Sequence, residues 1–209
     1  MTYRILVLCS IYRINNFMTE QKLFDISDDK LDAVLKIVYE SPINITENMI
    51  LERLRDRYRW PKSYNSGYPS LERIVKDDGL KEQDFFASDN HIQSHKVIKY
   101  YNEGYTFVLS GVQYLFNDIA NITDRLSNRF GVEINSNIYI SKGTKIVSYP
   151  YHDHNYAVII KNIEGKSKWA IDGQDYLLED QNVFFIDKFK KHCVKEIYDK
   201  KISITFNLC

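Results

Sequence analysis

The chain has 209 residues, of which 44% are hydrophobic and 14% aromatic, so it can bury a substantial core without disulfides or a structural metal. Its 28 basic and 28 acidic residues balance, and this neutrality disfavours nucleic acid and membrane phosphates as partners. The 3 scattered cysteines are typical of a reducing compartment, so the composition predicts a cytoplasmic protein.

Residues 1–104 are predicted to form a mostly helical part. The apolar run at residues 1–13 is interrupted by arginine and is shorter than the roughly 18 residues of a membrane span, so we expect a buried strand there. Helical periodicity follows from Ser27 to about Arg59, with a break at SPINI, and a short helix is expected from 94 to 103. Turn-forming residues at 60–70 predict an exposed loop.

After Gly104 the pattern changes to the two-residue period of strands, except for one amphipathic helix that ends at Gly131. The segments INSNIYIS and KISITFNL alternate between apolar and polar residues, and further strands are expected at 145–151, 154–162, 167–172, 182–186 and 193–198. Many short, evenly spaced strands predict a small barrel or sandwich. A barrel that packs helices on its outside needs apolar residues there and can line its mouth with the polar ones.

Two histidines stand one residue apart in the segment SYPYHDHNYAVIIKNIEGKSKW. On a strand, residues i and i+2 share a face, so His152 and His154 can present two imidazoles to one ion while Asp153 points away. His192, which follows the apolar segment VFFID, could supply a third ligand from across a barrel. Three protein ligands with open positions are typical of a catalytic metal site, although a histidine pair alone is also compatible with packing roles.

The segment HDHNYAVIIKNIEGKSKW resembles the metal-binding strand and hairpin of JmjC-type oxygenases, especially the cupin-like hydroxylases of ribosomal proteins. The family pattern runs H-x-D, an apolar strand, a glycine, a basic tripeptide and a tryptophan. In this chain His152 falls on the first ligand, His154 on the acidic ligand, Gly165 on the glycine and Trp169 on the tryptophan.

The resemblance extends over residues 95–209. YYNEGYTFVLSGV is similar to the family's entry strand, and INSNIYIS is similar to its N-x-Y strand, which matches Asn137 and Tyr139. DQNVFFIDKFKKHCVKE is similar to the stretch that ends in the distal histidine ligand, which matches His192.

This resemblance implies a protein of mainly β structure with α-helices, in which residues 105–209 form a double-stranded β-helix (cupin or jelly-roll) barrel and the helical part packs on it as one compact domain. It also implies Fe(II) as the metal, with 2-oxoglutarate and dioxygen as cosubstrates. Because 209 residues leave little room for the dimerisation and winged-helix parts of the ribosomal hydroxylases, we expect a small-molecule, amino-acid or carrier- or peptide-bound substrate. A homodimer is left open.

The sequence departs from the family at the acidic ligand, because His154 replaces the usual Asp or Glu. The resulting three-histidine set also resembles that of the thiol and diketone dioxygenases, which need no oxo acid because the substrate itself chelates iron. Asp153 could restore the usual ligand set only if a bulge turned it inward. A three-histidine dioxygenase is therefore the alternative activity, and a non-catalytic cupin that binds a metal or a ligand is the third interpretation.

A second departure concerns the basic residue that anchors 2-oxoglutarate in the family. The position fifteen residues beyond the first histidine is Ser167, with Lys166 and Lys168 on either side. Lys201 on the last strand shares a polar face with Ser203 and Thr205 and could reach inward instead. The predicted cosubstrate-binding residues are Asn137, Tyr139, Lys168, Lys201, Ser203 and Thr205, and Tyr156 is predicted to line the substrate pocket.

Overall fold

A computed structural model describes residues 28–55, 69–73, 92–143 and 149–209. The strand predicted at residues 1–13, nearly all of the loop predicted at 60–70 and most of the strand predicted at 145–151 lie outside the described residues. None of the helices in the described part is long and apolar enough to cross a membrane.

The four α-helices of the described residues agree with the sequence pattern. They are α1 (Asp28–Glu40), α2 (Glu47–Arg55), α3 (Ser94–Asn102) and α4 (Asn117–Phe130). The SPINI segment separates α1 from α2, as predicted, and α4 ends at Gly131, which adopts a left-handed φ of 70°. The Gly131 N–H donates to the Ser127 carbonyl at 2.7 Å, a common helix ending that favours glycine.

Nine strands lie within the described residues. They are β1 (Ser70–Arg73), β2 (Thr106–Ser110), β3 (Ile134–Lys142), β4 (Ala157–Glu164), β5 (Ser167–Ile171), β6 (Gln174–Leu178), β7 (Val183–Ile186), β8 (His192–Ile197) and β9 (Lys200–Leu208). The strand predicted at 154–162 begins three residues later than expected. β1 and β6 were not predicted. β1 lies in the part predicted to be mostly helical and begins at Ser70, the last residue of the predicted loop, whereas β6 has four of five side chains that are not buried and no apolar alternation.

The strands form two antiparallel sheets. The large sheet has the order β1-β2-β3-β9-β4-β7, and the small sheet has the order β6-β5-β8. They face each other across a cavity lined by β3, β4 and β9 on one side and by β5 and β8 on the other. This arrangement confirms the predicted fold class, a mainly β jelly-roll with added helices.

The large sheet turns its apolar side toward the helices. Ile138, Ile140, Ile202, Ile204 and Phe206 are all buried in one core with apolar residues of the four α-helices. From the other side of the sheet, Tyr139 and Ser141 of β3 and Lys201, Thr205 and Asn207 of β9 line the cavity, so these two strands contribute polar groups to it. The strict alternation of INSNIYIS and KISITFNL thus places polar groups inside the barrel, as expected.

Lys161 on β4 attaches α1 to the outer side of the large sheet. Its buried ammonium donates hydrogen bonds to the carbonyl oxygens of Val38 at 2.9 Å, Tyr39 at 3.3 Å and Ser41 at 2.7 Å. These carbonyls lie at the C-terminal end of α1, where cations are favoured and the last turn of the helix has no basic residue of its own. Burial lowers the pKa of Lys161 to about 8.

Candidate metal centre

A short backbone pairing brings the predicted histidines together. The N–H of His152 donates to the carbonyl of His192 at 3.2 Å, and the N–H of His192 donates back to the carbonyl of His152 at 2.8 Å. The N–H of Phe189 also donates to the carbonyl of His154 at 2.7 Å. The loop before β4 and the segment that enters β8 therefore run side by side and fix the spacing of three imidazoles.

The three imidazoles of His152, His154 and His192 form one group. One ring nitrogen from each lies within 4.8 Å of the others, while Asp153 is exposed and lies outside the group. Two nitrogens bound to one metal at about 2.1 Å are at most about 4.2 Å apart, so small side-chain rotations would close the group on an ion. The group could hold a metal ion with three neutral nitrogen ligands.

Two of these rings are oriented by hydrogen bonds to the backbone. His152 Nδ1 lies 2.8 Å from the carbonyl oxygen of Pro150, and His192 Nδ1 lies 2.7 Å from that of Lys190. Because a carbonyl only accepts, each Nδ1 carries the proton and each Nε2 is left with a lone pair for a metal. Both bonds reach the residue two positions earlier in the chain.

The third ring, that of His154, is held differently. It stacks on the ring of Tyr156 with centroids 4.7 Å apart and planes 9° from parallel. Burial, followed by the neighbouring His152 and His192, lowers the pKa of His154 to about 4, and burial likewise lowers the pKa of His192. Both rings are therefore neutral near pH 7, the form that binds metals.

The histidines stand at one end of a cavity of about 620 Å³, a volume that includes the open space at its mouth. On the side of the small sheet the apolar lining is formed by Trp169, Val194 and Ile197. On the side of the large sheet the lining is polar at Thr106, Tyr139, Ser141, Lys201, Thr205 and Asn207 and apolar at Val158 and Ile160 of β4. No aspartate or glutamate is among the described residues that line it. The cavity therefore suits an anionic ligand with an apolar side.

Lys201 places a titratable amino group within this cavity. The residue is only 3% exposed, and its ammonium lies 4.6 Å from the ring centroid of Trp169. Within the described part of the chain its ammonium has no carboxylate or hydrogen-bond acceptor. Burial lowers the pKa of Lys201 to about 7. The Trp169 indole N–H donates to Ser167 at 3.0 Å, which fixes the ring beneath the lysine.

A second polar group of the cavity lacks a partner. The hydroxyl oxygen of Thr205 is buried and makes no hydrogen bond with the residues that the structure describes. Buried hydroxyls are normally satisfied, and an unsatisfied one costs about 1–3 kcal/mol. Thr205 and Lys201 lie on the same face of β9, so both would be satisfied by one acidic ligand in the cavity.

The remaining predicted residues are placed as follows. Tyr139, Tyr156, Lys201 and Thr205 line the cavity, whereas Asn137 and Ser203 are not among its lining residues. Lys168 also lies outside it, because the alternation of β5 that buries Ser167 and Trp169 turns Lys168 outward, where its ammonium is 2.8 Å from Asp175. Lys201 is thus the predicted lysine that reaches the cavity.

Sequence reasoning missed several lining residues, namely Thr106, Ser141, Tyr149, Cys193 and Asn207. Asn207 had a readable signal, since it continues the alternation of Lys201 and Thr205 along β9. Cys193 had none, because alternation from His192 predicts the opposite face, and the register irregularity of the β5–β8 pairing lies farther along the strand, between Val194 and Glu196.

Comparison with known proteins returned matches in structure alone. No protein-family model matches the sequence, and no curated protein matches it by sequence comparison. A cupin superfamily protein from Desulfitobacterium hafniense matches 36% of this chain and 66% of its own length, with 12% identity and a TM-score of 0.33.

Two enzymes are also among the structural matches. A DMSP lyase from Ruegeria pomeroyi has 13% identity and a TM-score of 0.34, and a salicylate 1,2-dioxygenase from Pseudoaminobacter salicylatoxidans has 9% identity and a TM-score of 0.32. Each matches 36% of this chain, and the match covers 38% of the lyase and 20% of the dioxygenase, less than two thirds of either. The fold assignment therefore rests on the strand pairing described above.

Proposed function

We propose that this protein is an Fe(II)-dependent oxygenase that uses 2-oxoglutarate and dioxygen to hydroxylate or otherwise oxidise a small-molecule, amino-acid or carrier- or peptide-bound substrate. The observation that carries the proposal is the pairing, in one cavity, of three convergent imidazoles with a buried lysine that has no anionic partner among the described residues. The resemblance to JmjC-type oxygenases supports the same activity.

Residues at one end of the cavity would bind the metal, and residues at the other end would bind the oxo acid. His152, His154 and His192 would hold the iron, which supplies the reduction of dioxygen when it is bound. Lys201 would pair with the distal carboxylate of the oxo acid, and the hydroxyl of Thr205 would donate to it. The apolar wall around Trp169 would exclude water from the space between these ends.

Charge balance supports a ligand with two negative charges. Three neutral imidazoles leave both positive charges of a divalent ion uncompensated, and the described lining residues include no carboxylate. Lys201 adds a further positive charge when it is protonated. 2-Oxoglutarate carries two carboxylates and would neutralise the two ends of the cavity, whereas a ligand with an ammonium group would find no acidic partner there.

The second candidate is a three-histidine dioxygenase that needs no oxo acid. It is favoured by His154, which occupies the position where the resembled family has a carboxylate ligand. In such an enzyme the substrate itself binds the metal, and the cavity would accept an anionic thiol or diketone. A non-catalytic cupin that binds a metal or a ligand is the third candidate.

Anaerobic titration separates these candidates. The full chain is loaded with Fe(II), titrated with 2-oxoglutarate and followed for the visible charge-transfer band of a chelated oxo acid. A band, followed by succinate release in air, supports the first candidate, and iron binding without a band supports the second if thiols or diketones drive oxygen uptake. Bound metal without oxygen uptake on any substrate supports the third.

Two variants test the roles of Lys201 and His154 in the same titration. Lys201→Met should retain iron but need 10- to 100-fold more 2-oxoglutarate for the band, the range expected for one lost charge-assisted hydrogen bond of about 1.5–3 kcal/mol. His154→Asp restores the carboxylate of the resembled family and should retain both iron and the band. A wild-type chain that binds no transition metal would refute the proposal as a whole.

A further inference from the structure

His154 differs from the other two histidines of the candidate metal centre in how its ring is held. His152 and His192 each donate from Nδ1 to the carbonyl two residues earlier. The equivalent carbonyl for His154 is that of His152, and it already accepts the N–H of His192 at 2.8 Å in the backbone bridge. The ring of His154 has no hydrogen bond within the described residues, and its ring contacts are with His152, Tyr156 and His192.

We infer that Tyr156 is the positioning residue of this centre, because its stacked ring sets the plane in which His154 presents its nitrogen to the metal. The inference rests on the proposed metal centre and deepens it. Backbone carbonyls orient the rings of His152 and His192, and the aromatic ring of Tyr156 orients the ring of His154.

The geometry of the contact is that of a rigid support. The two rings are 9° from parallel with centroids 4.7 Å apart, so rotation of the imidazole about its Cβ–Cγ bond would drive its edge into the tyrosine ring. Tyr156 in turn packs against the apolar cluster inside the barrel, which includes Val158 and Trp169. The backbone of Tyr156 lies in the loop one residue before β4, and its side chain is anchored on this apolar cluster.

The support matters more for His154 than for a carboxylate at the same position. A carboxylate offers two equivalent oxygens and binds a metal in several orientations, whereas an imidazole must direct one lone pair along the plane of its ring. Without a hydrogen bond or a stacked neighbour, His154 would lose the entropy of that orientation each time it bound the ion. Stacking on Tyr156 restricts the His154 ring before the metal binds, so less entropy is lost on binding.

Metal affinity in a double-mutant cycle tests the inference. The affinity of the full chain for Co(II) is measured by competition with a chelating dye, for the wild type, Tyr156→Leu, His154→Ala and the double variant. Tyr156→Leu should weaken Co(II) binding on the order of 10-fold, the range for groups that orient a metal ligand. In the His154→Ala background the same change should have no further effect.

Matched variants separate positioning from folding. Tyr156→Phe keeps the stacked ring and should restore affinity to within about 3-fold of the wild type, on the stacking argument above. Tyr176→Leu removes a tyrosine that packs on the same apolar cluster but whose ring contacts Phe184 and none of the three candidate ligands, so its Co(II) affinity should equal that of the wild type. If Tyr156→Leu does not fold, Tyr156→Met takes its place in the cycle.

The outcomes are distinguishable. The inference is overturned if Tyr156→Leu weakens Co(II) binding equally with and without His154, or if Tyr156→Phe is as impaired as Tyr156→Leu. The visible spectrum of bound Co(II) gives a second readout, since Tyr156→Leu should shift it toward that of His154→Ala. A wild type that binds no Co(II) would remove the metal centre itself, whereas a wild type that binds it, together with an additive cycle, would reject only the positioning part.

Discussion

The peptide groups of His152 and His192 exchange both of their hydrogen bonds, at 3.2 and 2.8 Å, although 40 positions separate the two residues in the chain. The backbones of these two candidate ligands are therefore held side by side by hydrogen bonds within the chain. Ligands held in this way lower the cost of ordering a metal site.

Substitution of a single candidate ligand should abolish tight metal binding. We expect His192→Ala to weaken the binding of Fe(II) or Co(II) by at least about 100-fold, because two imidazoles remain and even groups that only orient ligands are worth 10- to 100-fold. Metal analysis after dialysis and dye competition measure the effect. His95→Ala is the matched control, because His95 is exposed on α3 and lies outside the three-histidine group. Equal affinity of His192→Ala and wild type would refute the assignment of His192.

Lys201 should make the stability of the metal-free protein depend on pH. Burial lowers its pKa in the folded state to about 7, from 10.5 for the unfolded chain, so the unfolded chain binds more protons between these two values. The free energy of unfolding therefore rises as the pH increases from about 7 toward 10. Urea unfolding at several pH values, compared with Lys201→Met, isolates this contribution.

The Lys201→Met variant tests whether Lys201 makes the free energy of unfolding rise with pH. The variant should lack the part of the pH dependence that Lys201 contributes, and it should be at least as stable as the wild type at pH 7, since methionine buries a similar volume without a charge. A variant that is less stable at pH 7 and keeps the full pH dependence would contradict this account of Lys201.

Lys161 should matter for stability and not for metal binding. Lys161→Met leaves three carbonyl oxygens at the end of α1 without their donor, and we expect a loss of about 2–3 kcal/mol in the free energy of unfolding. Lys36→Met on the same helix removes only an exposed ion pair with Glu40 and should cost less than about 0.5 kcal/mol. A change of more than about 3-fold in the Co(II) affinity of Lys161→Met would show that the two sides of β4 are coupled.

Gly165 should tolerate no side chain. A Cβ at this position would lie 1.7 Å from the carbonyl oxygen of Lys200, in addition to the strain of a φ of +88°. Gly173 also has a positive φ of +80°, but a Cβ there meets nothing within 4 Å. Gly173→Ala should therefore cost about 1–2 kcal/mol for strain alone, and Gly165→Ala clearly more. Thermal unfolding of the two variants tests the difference, and equal losses would exclude the contact with Lys200.

The direction of side chains in segments with a clear two-residue alternation of apolar and polar residues was predictable from sequence. The two-residue alternation of β3 and β9 identified the polar inner face, and the same rule grouped His152 with His154 and placed Lys201 inward. Of His152 and His154, the structure places only His152 in a β-bridge, and neither residue belongs to a strand. The two histidines therefore come together in an irregular loop. Their shared direction was predicted although the local structure differs.

Other features had no local signal. β6 pairs with β5 through a turn at Asp172 and Gly173, which have φ values of 48° and 80°, but its exposed side chains gave no apolar period. The stacking of Tyr156 on His154 depends on the loop geometry just described. The carbonyl of His152 is used by a residue 40 positions away, and no short-range pattern reports that.

The outer side of the large sheet is apolar, and the helices that pack on it keep this surface out of contact with water. α1 contacts the outer faces of β4 and β7, where Ile159 and Val183 are buried. A fragment shortened to residues 105–209 would expose this surface to water and would be expected to aggregate, even though it would retain every candidate metal ligand. Biochemical work on the centre therefore requires the helices that contribute none of its ligands.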